Sequence, residues 1–217
     1  MMPTKRSLTI LASLFLFVSF GLEFSPGAIA LDLQQQPTAE IGKAAPDFML
    51  LDTYGNTHSL KEYKGKHVVL EWINHDCPFV RKHYNSGNMQ SLQKFTAEND
   101  IVWLSIGSSA PGEQGNFEPG VWNQLTEEKG AMPTAILLDS EGVVGKVYGA
   151  QTTPHMYIVN PAGALIYAGA IDSIPSVDID DISEAQNYVK AALRESLAGK
   201  EVSVSSTKAY GCSVKYA

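Results

Sequence analysis

The stretch Val68-Val69-Leu70-Glu71-Trp72-Ile73-Asn74-His75-Asp76-Cys77-Pro78-Phe79-Val80-Arg81-Lys82-His83-Tyr84 constrains the fold more than any other. It opens as a β-branched, mostly apolar run, the pattern of a buried strand. The polar turn Asn74-His75-Asp76 then delivers Cys77, and Pro78 follows. Proline is favoured at the first position of a helix, where its missing N–H would be unpaired in any case. The pattern therefore predicts strand, turn and helix, with Cys77 at the helix mouth. Unpaired N–H groups and the helix dipole gather there and favour a thiolate over a thiol. The alternative is a cysteine that only packs; the polar residues before Cys77 and the proline after it favour the reactive reading.

Residues 1–30 read as a secretory signal peptide. Lys5 and Arg6 precede the apolar run Leu8 to Leu22, and Ala28-Ile29-Ala30 supplies a small-x-small cleavage site. The run is short of the roughly twenty residues of a membrane-spanning helix, and the cleavage site lacks a lipoprotein cysteine. The expectation is an exported protein, periplasmic or secreted, beginning near Leu31. Removing Lys5, Arg6 and Glu23 takes 16 basic and 23 acidic residues to 14 and 22, a net charge of −8. An acidic surface argues against nucleic acid and anionic membrane as partners.

Residues 31–40 are Gln-rich and polar, a flexible lead-in. Beyond them, apolar runs alternate with helical spacing. Strands are expected within Ala44 to Asp52, after Pro46, and at Val68 to Ile73, Ile101 to Ile106 and Thr134 to Asp139, with a strand and hairpin partner at Gln151 to Asn160 and Ala164 to Ala168. Helices are expected from Pro78 to Asn99, broken at Asn85-Ser86-Gly87-Asn88, and at Val121 to Lys129 and Gly142 to Tyr148. A last helix is expected from the acidic Asp178-Ile179-Asp180-Asp181 to Gly199. Ser108 to Gly120 is a long Gly- and Pro-rich loop. This order gives an α/β domain over residues 41–200, with a mixed central sheet flanked by helices, and a tail over 201–217. No second core is visible.

Cys77 and Cys212 are the only cysteines. In an exported protein disulfides persist, and two cysteines allow one intramolecular pairing. Their separation rules out a local Cys-x-x-Cys clip.

Two segments together, the strand leading to Cys77-Pro78 and Thr152-Thr153-Pro154-His155-Met156-Tyr157-Ile158-Val159-Asn160-Pro161-Ala162-Gly163, resemble the thioredoxin-like redoxins. That group includes the alkyl hydroperoxide reductase/thiol-specific antioxidant proteins. The resemblance covers Ile41 to Gly199, with a redoxin-type insertion at Gly142–Ala150. Cys77-Pro78-Phe79-Val80 with the terminal Tyr210-Gly211-Cys212-Ser213-Val214-Lys215-Tyr216 is similar to an exported bacterial subfamily. The resemblance implies a thioredoxin-like fold and a cis Pro154 facing Cys77, with Thr153 offering backbone groups to an extended substrate. Two departures stand out. Val80 occupies the second cysteine of Cys-x-x-Cys, and Leu70 and Asn74 occupy the Pro and Thr of the peroxiredoxin Pro-x-x-x-Thr-x-x-Cys.

A Cys77 thiolate can attack a peroxide or a disulfide, and a second thiol must then resolve the product. Cys212 is the one candidate. The expectation is a thiol-dependent oxidoreductase without cofactor or metal, acting with a thiol reductant on a disulfide or peroxide substrate. Cys77, Cys212 and Pro154 are its catalytic set, supported by Asn74, His75, Pro78 and Thr153. A protonated His75 or His83, or Lys82, would lower the thiol pKa. Each reads equally as a solvated surface group, and for Lys82 the solvated reading is the favoured one. Two alternatives stay open: a copper- or zinc-binding chaperone using Cys77, His75, His83 and His155, and a redox-inert domain with a structural Cys77–Cys212 disulfide.

Overall fold

A computed structural model describes residues 38–217. The signal peptide and most of the lead-in expected from the sequence lie outside the described residues. The described end of the lead-in is tied down, the Ala39 N–H donating to the Val147 carbonyl at 3.1 Å.

Along the chain the strands are β1 (Met49–Asp52), β2 (Thr57–Ser59), β3 (Val68–Trp72), β4 (Val102–Gly107), β5 (Ala135–Leu138), β6 (Thr152–Thr153), β7 (His155–Val159), β8 (Leu165–Gly169) and β9 (Cys212–Ser213). The helices are α1 (Pro78–Asn85), α2 (Asn88–Glu98), α3 (Pro119–Glu128), α4 (Val143–Tyr148) and α5 (Tyr188–Leu197). Seven strands form one mixed sheet in the order β2-β1-β5-β4-β3-β7-β8. β3 is a fully buried interior strand, parallel to β4 with Leu70 opposite Leu104, and antiparallel to β7 with Leu70 opposite Tyr157. Helices flank the sheet, the thioredoxin-like α/β architecture.

Alternation along β3 divides the core in two. Val69 and Ile73 pack with Val80, Tyr84, Met89 and Leu92 of α1 and α2 and with Val189 and Leu193 of α5. Val68, Leu70 and Trp72 face the other layer, with Val144 and Tyr148 of α4. Cys77 belongs to the first layer.

The expected helical break falls at Gly87, whose φ of 75° is a left-handed conformation that costs glycine little. α5 departs from expectation. The acidic stretch forms only a short 3-10 turn, Asp180–Ile182, and the helix starts at Tyr188. Asn187 caps it, its side chain accepting from the Lys190 N–H at 2.8 Å. The chain before it is held extended: Ser173 N–H donates to Gln186 C=O, and Tyr188 N–H to Ile171 C=O. These tertiary bonds overrule the helical periodicity that runs on from Ile182.

Candidate active site

Cys77 is the N-cap of α1, with extended backbone, and Pro78 is the first helical residue. Its side chain is fully buried. As a thiol its Sγ donates to the Thr153 carbonyl at 3.0 Å, and the Cys212 N–H reaches the same sulfur at 3.4 Å. The Thr153–Pro154 bond is cis, the geometry the resemblance implies. Thr153 is buried, and its hydroxyl has no hydrogen-bond partner among the described residues.

The cover over Cys77 is the C-terminal segment, which crosses the site as a strap. Thr207 fastens its start, accepting from Ala170 N–H at 2.9 Å and meeting the Tyr167 hydroxyl at 2.8 Å. β9 then pairs antiparallel with β6, Cys212 opposite Thr153. Gly211 takes a φ of 139°, and a Cβ there would overlap the Thr153 carbonyl. Further on, Val214 N–H donates to Gln151 C=O at 3.0 Å and Ala110 N–H to Lys215 C=O at 2.7 Å. The Tyr216 ring lies over Gly142 and Gly145, and its hydroxyl donates to Ala150 C=O at 2.7 Å. The strap thus pairs with the backbone at Thr152–Thr153, where the resemblance implies that an extended substrate pairs.

Both cysteines are free thiols. Burial pushes the Cys212 thiol up to about 12; its hydrogen bond to Cys77 and the charge on that sulfur act the same way, and Lys215 opposes them. While the strap is closed, Cys212 keeps its proton.

The positive charges expected around Cys77 are not delivered. Burial lowers the His75 pKa to about 4, helped by Lys129 and opposed by Asp76, and its ring packs against Tyr84 and Trp122. Burial brings His83 to about 4 as well, against the pull of Asp172 and with Lys82 adding to the fall. Both imidazoles are neutral at pH 7. Lys82 is buried rather than solvated, its Nζ donating to Ile174 C=O at 3.2 Å and Ser176 Oγ at 3.1 Å. The polar groups that do meet Sγ are backbone ones, the Thr153 carbonyl at 3.0 Å and the Cys212 N–H at 3.4 Å, at the start of α1. Asn74 braces the long loop instead of the sulfur: its Oδ1 accepts from Asp76 N–H at 2.9 Å and its amide donates to Gln114 C=O at 3.3 Å. His155 accepts from Gln151 N–H at 3.3 Å and stacks on Tyr157. It lies in the α4 layer with its neighbour Tyr157, whereas Cys77 lies in the other. Among the described residues no three His, Cys, Asp or Glu side chains converge as metal ligands.

Glu71 is the residue that sequence reasoning passed over. It is fully buried in β3, on the face shared with Val69 and Ile73, and its carboxylate accepts from Trp103 Nε1 at 2.9 Å, Ser105 Oγ at 2.8 Å and the Tyr84 hydroxyl at 3.0 Å. Burial raises its pKa to about 7 in spite of these bonds. A lone acid inside an apolar strand was the available signal, because such a group stays buried only when fully hydrogen-bonded or neutral.

Residues 41–168 match the AhpC/TSA family. Over 143 residues the chain is 27% identical to the thiol-disulfide oxidoreductase ResA of Bacillus cereus, which covers 58% of this chain and 83% of that one. An uncharacterized conserved protein from Geobacillus kaustophilus is structurally similar, with a TM-score of 0.69 and 28% identity over 82% of this chain and 93% of that one. The thioredoxin domain of a thiol-disulfide oxidoreductase from Bacteroides vulgatus shares the fold, with a TM-score of 0.50 and 19% identity over 68% of this chain and 97% of that one. On the family match, which spans more than half its length, the chain belongs to the AhpC/TSA family.

Proposed function

We propose that the protein is an exported thiol-disulfide oxidoreductase in which Cys77 is the nucleophile and Cys212 the resolving thiol. The observation that carries this is the placement of Cys212 opposite Thr153, its N–H on the Cys77 sulfur at the cap of α1. In the first step the Cys77 thiolate attacks a substrate disulfide, forms a mixed disulfide and expels one substrate thiolate. In the second, Cys212 gives its proton to a departing thiolate and attacks the Cys77 sulfur. The Cys77–Cys212 disulfide forms, the second substrate thiol leaves, and two electrons have passed to the substrate. An external thiol reductant returns the pair to the dithiol. Pro154 and Thr153 shape the backbone edge that receives the substrate, and Pro78 and Asn74 hold the turn that presents the sulfur. Export rests on the signal-like first thirty residues.

A disulfide substrate is favoured over a peroxide. The strap, a cysteine-bearing extended segment, already occupies the edge at Thr152–Thr153, while Asn74 replaces the peroxiredoxin hydroxyl and spends its amide on the loop. Single-turnover assays with a small aromatic disulfide and with an alkyl hydroperoxide test the reading. The disulfide should react faster by at least tenfold, Cys77→Ser should abolish the reaction, and Cys212→Ser should retain the first step. Faster consumption of the hydroperoxide would assign peroxide reduction instead. Loss of the first step in both variants alike would contradict the assignment of roles.

A further inference from the structure

The strap is held beside Cys212 by a buried polar chain that the two-thiol reaction does not itself require. Tyr210, two residues before Cys212, enters between α1 and the segment after β8. Its ring packs edge-on against Phe79, centroids 5.7 Å apart. Its hydroxyl donates to Asp172 Oδ1, and His83 Nε2 lies 3.2 Å from it. The direction of this chain follows from the other imidazole nitrogen. The Asn88 amide donates to His83 Nδ1 at 2.9 Å, so the proton of the neutral ring sits on Nε2 and is donated to Tyr210. The order is Asn88 to His83 to Tyr210 to Asp172. His83 and Asp172 are both buried; Asp172 Oδ1 also accepts from Ile174 N–H at 3.1 Å, while Oδ2, with no hydrogen-bond partner among the described residues, stands 3.9 Å from His83 Nε2. Such a site favours one polar plug of defined shape, since removing the hydroxyl leaves a buried donor and a buried carboxylate short of a partner.

We propose that Tyr210 is a positioning residue, a latch that both sets Cys212 over Cys77 and shuts Cys77 away from other reactants. The proposal rests on the Cys77/Cys212 reading above. Between Tyr210 and Cys212 there is only Gly211, pressed on the Thr153 carbonyl, so the tyrosine fixes where the second thiol stands. The same closure leaves Cys77 without exposure. One contact therefore acts on the two chemical steps with opposite sign. Loosening it exposes Cys77 and hastens the first attack; it also spreads the positions of Cys212 and slows the second.

The test is single-turnover reduction of 5,5′-dithiobis(2-nitrobenzoate) by the full chain, where each step releases one coloured thiolate and so gives its own phase. Tyr210→Phe keeps the ring against Phe79 and removes the hydroxyl. It should accelerate the first phase and slow the second, each by about tenfold. His83→Leu should behave alike. His83→Gln, whose amide nitrogen can stand where Nε2 stood, should keep both rates within about twofold of the parent. Alkylation of Cys77 by iodoacetamide in the Cys212→Ser background reads the cover without any turnover, and adding Tyr210→Phe should raise it about tenfold. Two phases that move in the same direction, or alkylation that does not change, would overturn the latch while leaving the two-thiol reading intact. A parent trace with one phase, identical to that of Cys212→Ser, would remove the resolving role and the latch with it.

Discussion

Single residues carry most of the chemistry, and Glu71 has the clearest consequence. A carboxyl held near pH 7 by burial is neutral in the folded chain at pH values where the unfolded chain already ionises it. Its folded pKa is raised, so its contribution is fully present below the unfolded value of 4.5 and is lost as pH rises through about 7. Denaturant titrations should show the parent losing up to about 3 kcal/mol between pH 4.5 and 7.5 from this group. Glu71→Gln, whose amide can accept from Trp103 and Ser105 and donate to Tyr84, should flatten that slope. An unchanged slope in the variant would mean that Glu71 is not the titrating group. The histidines teach the complementary point. His75 and His83 stand close to Cys77 in sequence and invite an electrostatic role, yet burial leaves both uncharged at neutral pH. Lys82 likewise serves structure, because its partners Ile174 and Ser176 come from a segment far along the chain.

At the scale of elements, local signals were legible and tertiary ones were not. The Val68–Ile73 run, the polar turn and Pro78 encode β3 and the start of α1 in adjacent residues, and Gly87 encodes the break before α2. The start of α5 depends on Ile171 and Ser173 reaching Tyr188 and Gln186, which no local pattern records. The path of the strap is of the same kind. Cys212-Ser213 is too short to read as a strand, and it becomes one only against Thr152–Thr153. Gly211 is the tightest point of that contact. Gly211→Ala would force a side chain into the Thr153 carbonyl at a positive φ, at a cost of about 1–3 kcal/mol. In amide hydrogen exchange, Val214 should lose its protection in this variant, whereas Val69 in the central strand should keep its own. Equal protection at Val214 in parent and variant would show that the strap does not depend on this approach.

Across the whole molecule, a buried mixed sheet fixes three separate chain segments around one sulfur. β3 and α1 bring Cys77, β6 and the step into β7 bring Thr153 and cis Pro154, and the strap brings Cys212 from far along the chain. The α/β class was readable because apolar strands and helical spacing alternate clearly from Val68 to Tyr148; the covering of Cys77 was not, since it depends on where residues 205–217 settle once the sheet exists. No helix among the described residues is long and apolar enough to cross a membrane. The proposed division of labour, attack by Cys77 and resolution by Cys212, is tested by mass spectrometry of the reduced protein after one equivalent of a small disulfide. The parent should lose two hydrogens and carry no adduct, with Cys77 and Cys212 joined in the peptide map. Cys212→Ser should hold one substrate thiol on Cys77. A parent that keeps a stable adduct on Cys77, or an adduct found on Cys212 in Cys77→Ser at the parent's rate, would contradict the account.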